Sequence, residues 1–184
     1  MSVYEIGFTP GKKAAGIRAF DNVETRKGYS GVYQFGASYN PTTFATATGQ
    51  KHSGDYVLYW MASQALWRVN RDGAKGLDGT VGYDWSPPSI NRNNTLFTAG
   101  LRFNEPLPLR IHNTLSLGYV RNSLSQQFVP QGAPGFRPEH ALELNALLDP
   151  LPMLLLQPVV QYYENVGGGS HRAVVFGFRT KVEF

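Results

Sequence analysis

The stretch Val174-Val-Phe-Gly-Phe-Arg-Thr-Lys-Val-Glu-Phe184 decides the fold. Val174, Phe176, Phe178, Thr180, Val182 and Phe184 share one parity, and Val175, Gly177, Arg179, Lys181 and Glu183 share the other. Side chains alternate across a strand, so one face is apolar and aromatic while the other carries every charge. A soluble β-protein commonly ends in a polar tail. An amphipathic strand with Phe184 at its end instead suits a sheet that closes on itself in lipid, where an open edge would strand unpaired N–H and C=O groups in hydrocarbon.

The same two-residue period recurs upstream. Segments 3–8, 31–39, 56–69, 77–85, 95–103, 113–121, 139–147 and 153–163 read as strands, which with the last makes about nine. In 31–39, Tyr33, Phe35, Ala37 and Tyr39 oppose Val32, Gln34, Gly36 and Ser38. In 77–85, Leu77, Val81, Tyr83 and Trp85 oppose Asp78, Thr80 and Asp84. In 139–147, Leu142, Leu144 and Ala146 oppose Glu143 and Asn145. Segment 56–69 is apolar on both parities and has no assigned phase. Lengths of about 7 to 14 residues bracket the ~9–11 needed to cross a bilayer at a tilt. The links 40–55, 86–94, 123–138 and 165–170 fall at one end of these strands, and two of them are long. The links 70–76, 104–112 and 148–152 fall at the other end and are mostly tight, which is the asymmetry of a bacterial outer-membrane barrel. Link 9–29 breaks that rule and leaves room for a further strand near 14–20. Tyr39, Tyr56, Trp85 and Tyr119 fall at the long-loop end, and Trp67 and Phe184 at the other, as interfacial aromatic girdles do.

Composition agrees with an all-β chain forming one domain over 1–184. Charged residues make up 16%, below the roughly 25% of soluble domains, and aromatics reach 13%. The net charge of +4 is scattered, without the clustered basic stripe of a nucleic-acid footprint, so no nucleic-acid partner is expected. There is no cysteine, which removes disulfides, thiolate metal sites and cysteine nucleophiles. No stretch is long and apolar enough for a spanning helix: 146–160 holds Asp149 and three prolines. Met1 is not followed by the basic and apolar regions of a signal peptide.

Reaction chemistry does not emerge. Asp78 and Asp84 share a face but stand ~20 Å apart along a strand, and Glu139 and Glu143 ~13 Å. A glycosidase pair needs ~5–9.5 Å, so only a cross-strand pair could serve. His52, His112, His140 and His171 fall in or beside turns without metal-ligand spacing. Gly167-Gly-Gly-Ser170 lacks the lysine of a phosphate loop. Neither catalytic residues, a metal nor a cofactor is expected.

Three stretches carry a resemblance. They are Gly54-Asp-Tyr-Val-Leu-Tyr-Trp-Met-Ala-Ser-Gln-Ala-Leu-Trp-Arg68, Leu154-Leu-Leu-Gln-Pro-Val-Val-Gln-Tyr162 and the ending Val175-Phe-Gly-Phe-Arg-Thr-Lys-Val-Glu-Phe184. In order and spacing they resemble the carbohydrate-selective outer-membrane porins of the OprB type over most of residues 30–184. The ending also resembles the C-terminal insertion signal of outer-membrane proteins, with Phe184, Val182, Phe178 and Phe176 in pattern and Thr180 departing from it.

The resemblance implies an antiparallel transmembrane β-barrel, of which this chain would supply about the last nine of sixteen strands. It implies passive diffusion of small sugars through a wet lumen in the bacterial outer membrane, with membrane lipid and the barrel-assembly machinery as partners. The oligomeric state is left open. Arg179, Lys181, Gln157, Gln161, Glu143, Asn145, Asp84 and Arg102 are the expected lumen-lining candidates, joined by Gln34 and Asp78. Amides, carboxylates and guanidinium groups there would hydrogen-bond sugar hydroxyls. Two alternatives stand beside this reading: a soluble β-sandwich that binds carbohydrate, and a non-functional fragment of a disrupted porin.

Overall fold

The computed structural model describes residues 2–8, 29–70, 73–109, 111–151 and 153–182. Nine strands follow in chain order: β1 (Ser2–Phe8), β2 (Gly31–Ala45), β3 (Lys51–Arg68), β4 (Gly76–Trp85), β5 (Asn93–Asn104), β6 (His112–Leu124), β7 (Glu139–Leu151), β8 (Leu154–Glu164) and β9 (Arg172–Val182). Each pairs with its sequence neighbours in a single antiparallel sheet ordered β1 to β9. Phe184 and the expected strand near 14–20 lie outside the described residues.

The alternation expected for the phased segments holds, and register ties the strands into two faces. Arg179 pairs with Gln157, Val175 with Gln161, Gln161 with Glu143, and Glu143 with Gly118. Arg102 joins the same face through Ser116 and Asn145, and Asp78 through Arg102. On the opposite face, Phe178, Phe176 and Val174 pair with Pro158, Val160 and Tyr162, which lead to Leu144 and Leu142, then Leu117 and Tyr119.

The two faces are inverted relative to a soluble protein. Phe176 is 77% exposed and Ile6 74%, whereas Gln34 is 1% exposed and Asp78 2%. Among the described residues, the buried aliphatic or aromatic side chains other than proline are only Ala65 and Leu124, while seven polar or charged ones are buried. A β-sandwich buries its apolar face between sheets. This sheet turns that face outward and curls around its polar one, which is how a strand in lipid is satisfied.

The apolar band has a measurable height. On β6 the outward side chains run Asn113, Leu115, Leu117, Tyr119 and Arg121, and Arg121 pairs with His140 on the same face. Eight residues at ~3.4 Å make ~27 Å along the strand, or ~21 Å along the normal at a ~40° tilt, close to the ~25 Å band of outer-membrane barrels. Tyr39, Tyr56, Trp85 and Tyr119 all lie on this outward face toward one end, with Trp85 against Tyr56 at 5.6 Å.

Two expectations need correction. The link 40–55 is not a long loop. β2 and β3 continue as a hairpin to a tight turn at 46–50, and the register slips between Asn40 and Thr43. The residues there, Pro41-Thr-Thr and Thr46-Ala-Thr-Gly, read as loop by composition, but cross-strand pairing overrides that preference. This places His52 inside β3 rather than in a turn. The contrast in link length is therefore carried by one segment, 125–138, opposed at the other end by the two-residue link at 152–153.

Candidate solute-lining face

The polar face is built from alternate residues of all nine strands. One cavity of about 620 Å³ lies on it at the end that carries segment 125–138. It is lined by Val57, Asp84, Leu96, Asn122, Glu139 and Tyr163, one from each of β3 to β8. Six adjacent strands can converge on one cavity from one face only if that face is concave.

Arg179, Lys181, Gln157, Gln161, Glu143, Asn145, Asp84 and Arg102 all fall on this face, with Gln34 and Asp78. The structure links some of them directly. Glu143 accepts from Asn145 Nδ2 at 2.8 Å and from Gln161 Nε2 at 2.5 Å, and Gln161 accepts from the Tyr163 hydroxyl at 3.0 Å. Arg179 and Gln157 sit opposite each other on β9 and β8. Asp84 stands apart from the Glu143 group, between Tyr59 and Leu96. No register among the described strands sets two carboxylates directly opposite.

Several members of the network were not legible in the sequence. Glu5 on β1 accepts from Gln34 Nε2 at 2.9 Å and from the Tyr59 hydroxyl at 2.7 Å, drawing three strands together. Glu139 accepts from Asn122 Nδ2 at 2.8 Å and from the Gly167 N–H at 2.5 Å. Asp55 accepts from Asn91 Nδ2 at 2.8 Å. Arg68 is completely buried, is paired with Asp78, and donates to the Trp67 and Leu77 carbonyls at 3.1 and 3.2 Å. Asp78 also accepts from Asn104 Nδ2 at 2.6 Å. Only Asp78 of this last trio carried a signal, as an acid at a polar-face position of a phased strand.

A register slip between Ala65 and Trp67 explains why Arg68 was missed. The extra residue switches parity, so Trp67 turns outward with Leu77 while Arg68 turns to the polar face opposite Gly76. Such bulges are common where a strand must re-aim a side chain. Gly76 answers it with φ of 153°, and a Cβ there would stand 2.1 Å from the Trp67 carbonyl oxygen.

Gly36 has a related role. A Cβ at this position would meet the Tyr59 ring at 2.1 Å, so the ring lies flat over the bare backbone and its hydroxyl reaches Glu5. Aromatic cover of a strand glycine is a known means of pinning register. Gly36→Ala is expected to swing the ring away, break the Tyr59–Glu5 hydrogen bond and cost about 1 kcal/mol, as mild overpacking does. Urea unfolding in detergent micelles measures it, and an unchanged midpoint would show that the contact contributes nothing.

Comparison with known proteins agrees with this architecture. The family model for the carbohydrate-selective porin family OprB matches residues 9–184. Among solved structures, "High pH structure of Pseudomonas putida OprB" superposes with a TM-score of 0.79 at 18% identity, covering 99% of this chain and 48% of that one. The chain thus spans about half the length of that relative, and the likeness at this identity speaks for the fold. No curated protein matches by sequence. An outward apolar band, a concave polar face, a nine-strand meander and a family match over nearly the whole chain agree: this chain belongs to the carbohydrate-selective porin family OprB, a family of bacterial outer-membrane channels.

Proposed function

We propose that the chain forms part of the wall of a water-filled pore through which small carbohydrates diffuse passively. The observation that carries this reading is the concave face itself. Its carboxylates and amides bond one another, Asp84 and Glu139 line the cavity, and Tyr163 beside them offers ring surface. A sugar presents hydroxyls at its rim and C–H groups on its faces, so acceptors, donors and rings on one wetted surface suit it. The polar candidates from Asp84 to Lys181 are the proposed contact positions, within one domain whose outer band contacts outer-membrane lipid. Val182, Phe178 and Phe176, with Phe184, are the proposed signal to the barrel-assembly machinery.

Liposome swelling tests the transport reading. Vesicles containing the protein as assembled in the outer membrane are expected to swell in isotonic monosaccharide several times faster than in a trisaccharide. Swelling no faster than in protein-free vesicles would reject the reading.

A further inference from the structure

Charge on the polar face is sorted along the strands. In the halves nearer segment 125–138, the wall carries Asp55 on β3, Asp84 on β4, and Glu139 and Glu143 on β7, and the one basic residue among the described strand positions of that face is Lys51, the first residue of β3 beside the hairpin turn. Arg92 and Arg137 at that end belong to the connecting segments, and the Arg92 guanidinium lies over Phe136 at 4.9 Å. In the opposite halves the wall carries Arg68, Arg102, Arg179 and Lys181 against Asp78 and Asp149.

How these charges are held sharpens the contrast. Asp55, Glu139 and Glu143 are fixed by the amides of Asn91, Asn122, Asn145 and Gln161, which leave the negative charge uncompensated. In the other half, Asp78 gives its two oxygens to Arg68 and Asn104. Arg102, opposite Asp78 in register, has its Nε buried without an acceptor, and Arg179 faces the neutral Gln157.

We propose that this face is a bipolar wall that favours neutral solutes: an acidic half that repels anions lies in series with a basic half that repels cations. The proposal rests on the sugar-diffusion reading and names its substrate class as uncharged sugars in preference to sugar acids and amino sugars. Within the lumen the two zones act over about the Debye length, ~10 Å at 0.1 M salt and ~3 Å at 1 M. A cation entering from the acidic end is welcomed and then opposed, and an anion from the basic end likewise. A neutral sugar meets neither barrier. The same arrangement makes ion current unequal at opposite voltages, because one polarity drives both ions toward the junction of the zones and the other drains it.

Single-channel recording of the assembled protein in 0.1 M KCl tests this, with single channels so that opposite insertions do not cancel. The ratio of currents at equal and opposite voltages is expected to be about twofold, the effect of roughly one net wall charge near the ion path, and to approach one in 1 M KCl. Asp84→Asn is expected to raise swelling in a uronate relative to the neutral sugar, and Arg179→Gln to raise swelling in an amino sugar relative to it, each about twofold. A linear current–voltage relation in 0.1 M KCl, or both substitutions shifting the two ratios alike, overturns the proposal. If the wild type conducts ions but passes no sugar, the transport reading itself fails, and that result is distinct from equal passage of neutral and charged sugars.

Discussion

Leu117→Arg is expected to destabilise the folded protein in a bilayer by about 2–4 kcal/mol, the cost of an arginine facing lipid near the midplane. Leu117 lies midway between Asn113 and Arg121 on the outward face of β6, flanked in register by Leu101 and Leu144. From that position the side chain would have to reach four residues along the strand to meet water at either rim, too far to snorkel without thinning the membrane. The neighbouring Gly118→Arg places the same charge on the polar face, opposite Glu143 and where a Cβ meets open space, and is expected to cost under about 1 kcal/mol, because the lumen wall is wet. Chemical unfolding of the two variants in lipid vesicles measures the difference. Equal costs would mean that the sheet does not separate lipid from water at β6. A reversed order would mean that the two faces are exchanged, which the 77% exposure of Phe176 argues against.

This contrast was legible in the sequence wherever period two was clean. Val174 to Val182, Leu142 to Ala146 and Tyr33 to Tyr39 alternate without interruption, so parity alone assigned each side chain to its face. The sequence failed where a strand changes phase. In β3, Ala62, Ser63, Gln64, Ala65, Leu66 and Trp67 offer no polar–apolar alternation, and the slip at Ala65–Trp67 reverses parity beyond it. One extra residue there flips every later side chain, so neither the outward Trp67 nor the inward Arg68 follows from counting back along the strand. The β2–β3 hairpin was lost for a different reason. Asn40, Pro41 and Gly49 near its tip are weak strand formers, and pairing across the hairpin supplies what local preference withholds. The hydrogen-bond partners of Glu5, Glu139 and Asp55 depend on register between strands, which no single segment encodes.

Asp78→Ala is expected to cost about 3–5 kcal/mol, the penalty for breaking a buried ion pair by removing one partner. The Arg68 side chain has no exposure and the Asp78 side chain 3%, so water cannot replace the lost carboxylate. Two of the guanidinium contacts, to the Trp67 and Leu77 carbonyls, would survive and hold the cation in place after the carboxylate is gone. Asn104 would lose its acceptor as well. Asp78→Asn separates charge from shape. It keeps an acceptor oxygen for Arg68 or for Asn104 but removes the ion pair, and is expected to fall between the wild type and Asp78→Ala. The double replacement Arg68→Met with Asp78→Leu removes both charges and restores apolar packing around Ala65, and is expected to recover most of the loss, as buried pairs replaced by hydrophobes often do. Unfolding midpoints of the four proteins in lipid vesicles form the test. If Asp78→Ala unfolds within about 1 kcal/mol of the wild type, water reaches Arg68 and the site is an ordinary wetted lumen pair. If the double replacement is as unstable as Asp78→Ala, the pair does more than neutralise itself. The bulge that turns Arg68 inward would then depend on the ion pair for its geometry, and the close approach of Gly76 to the Trp67 carbonyl would be a consequence of the salt bridge rather than its setting.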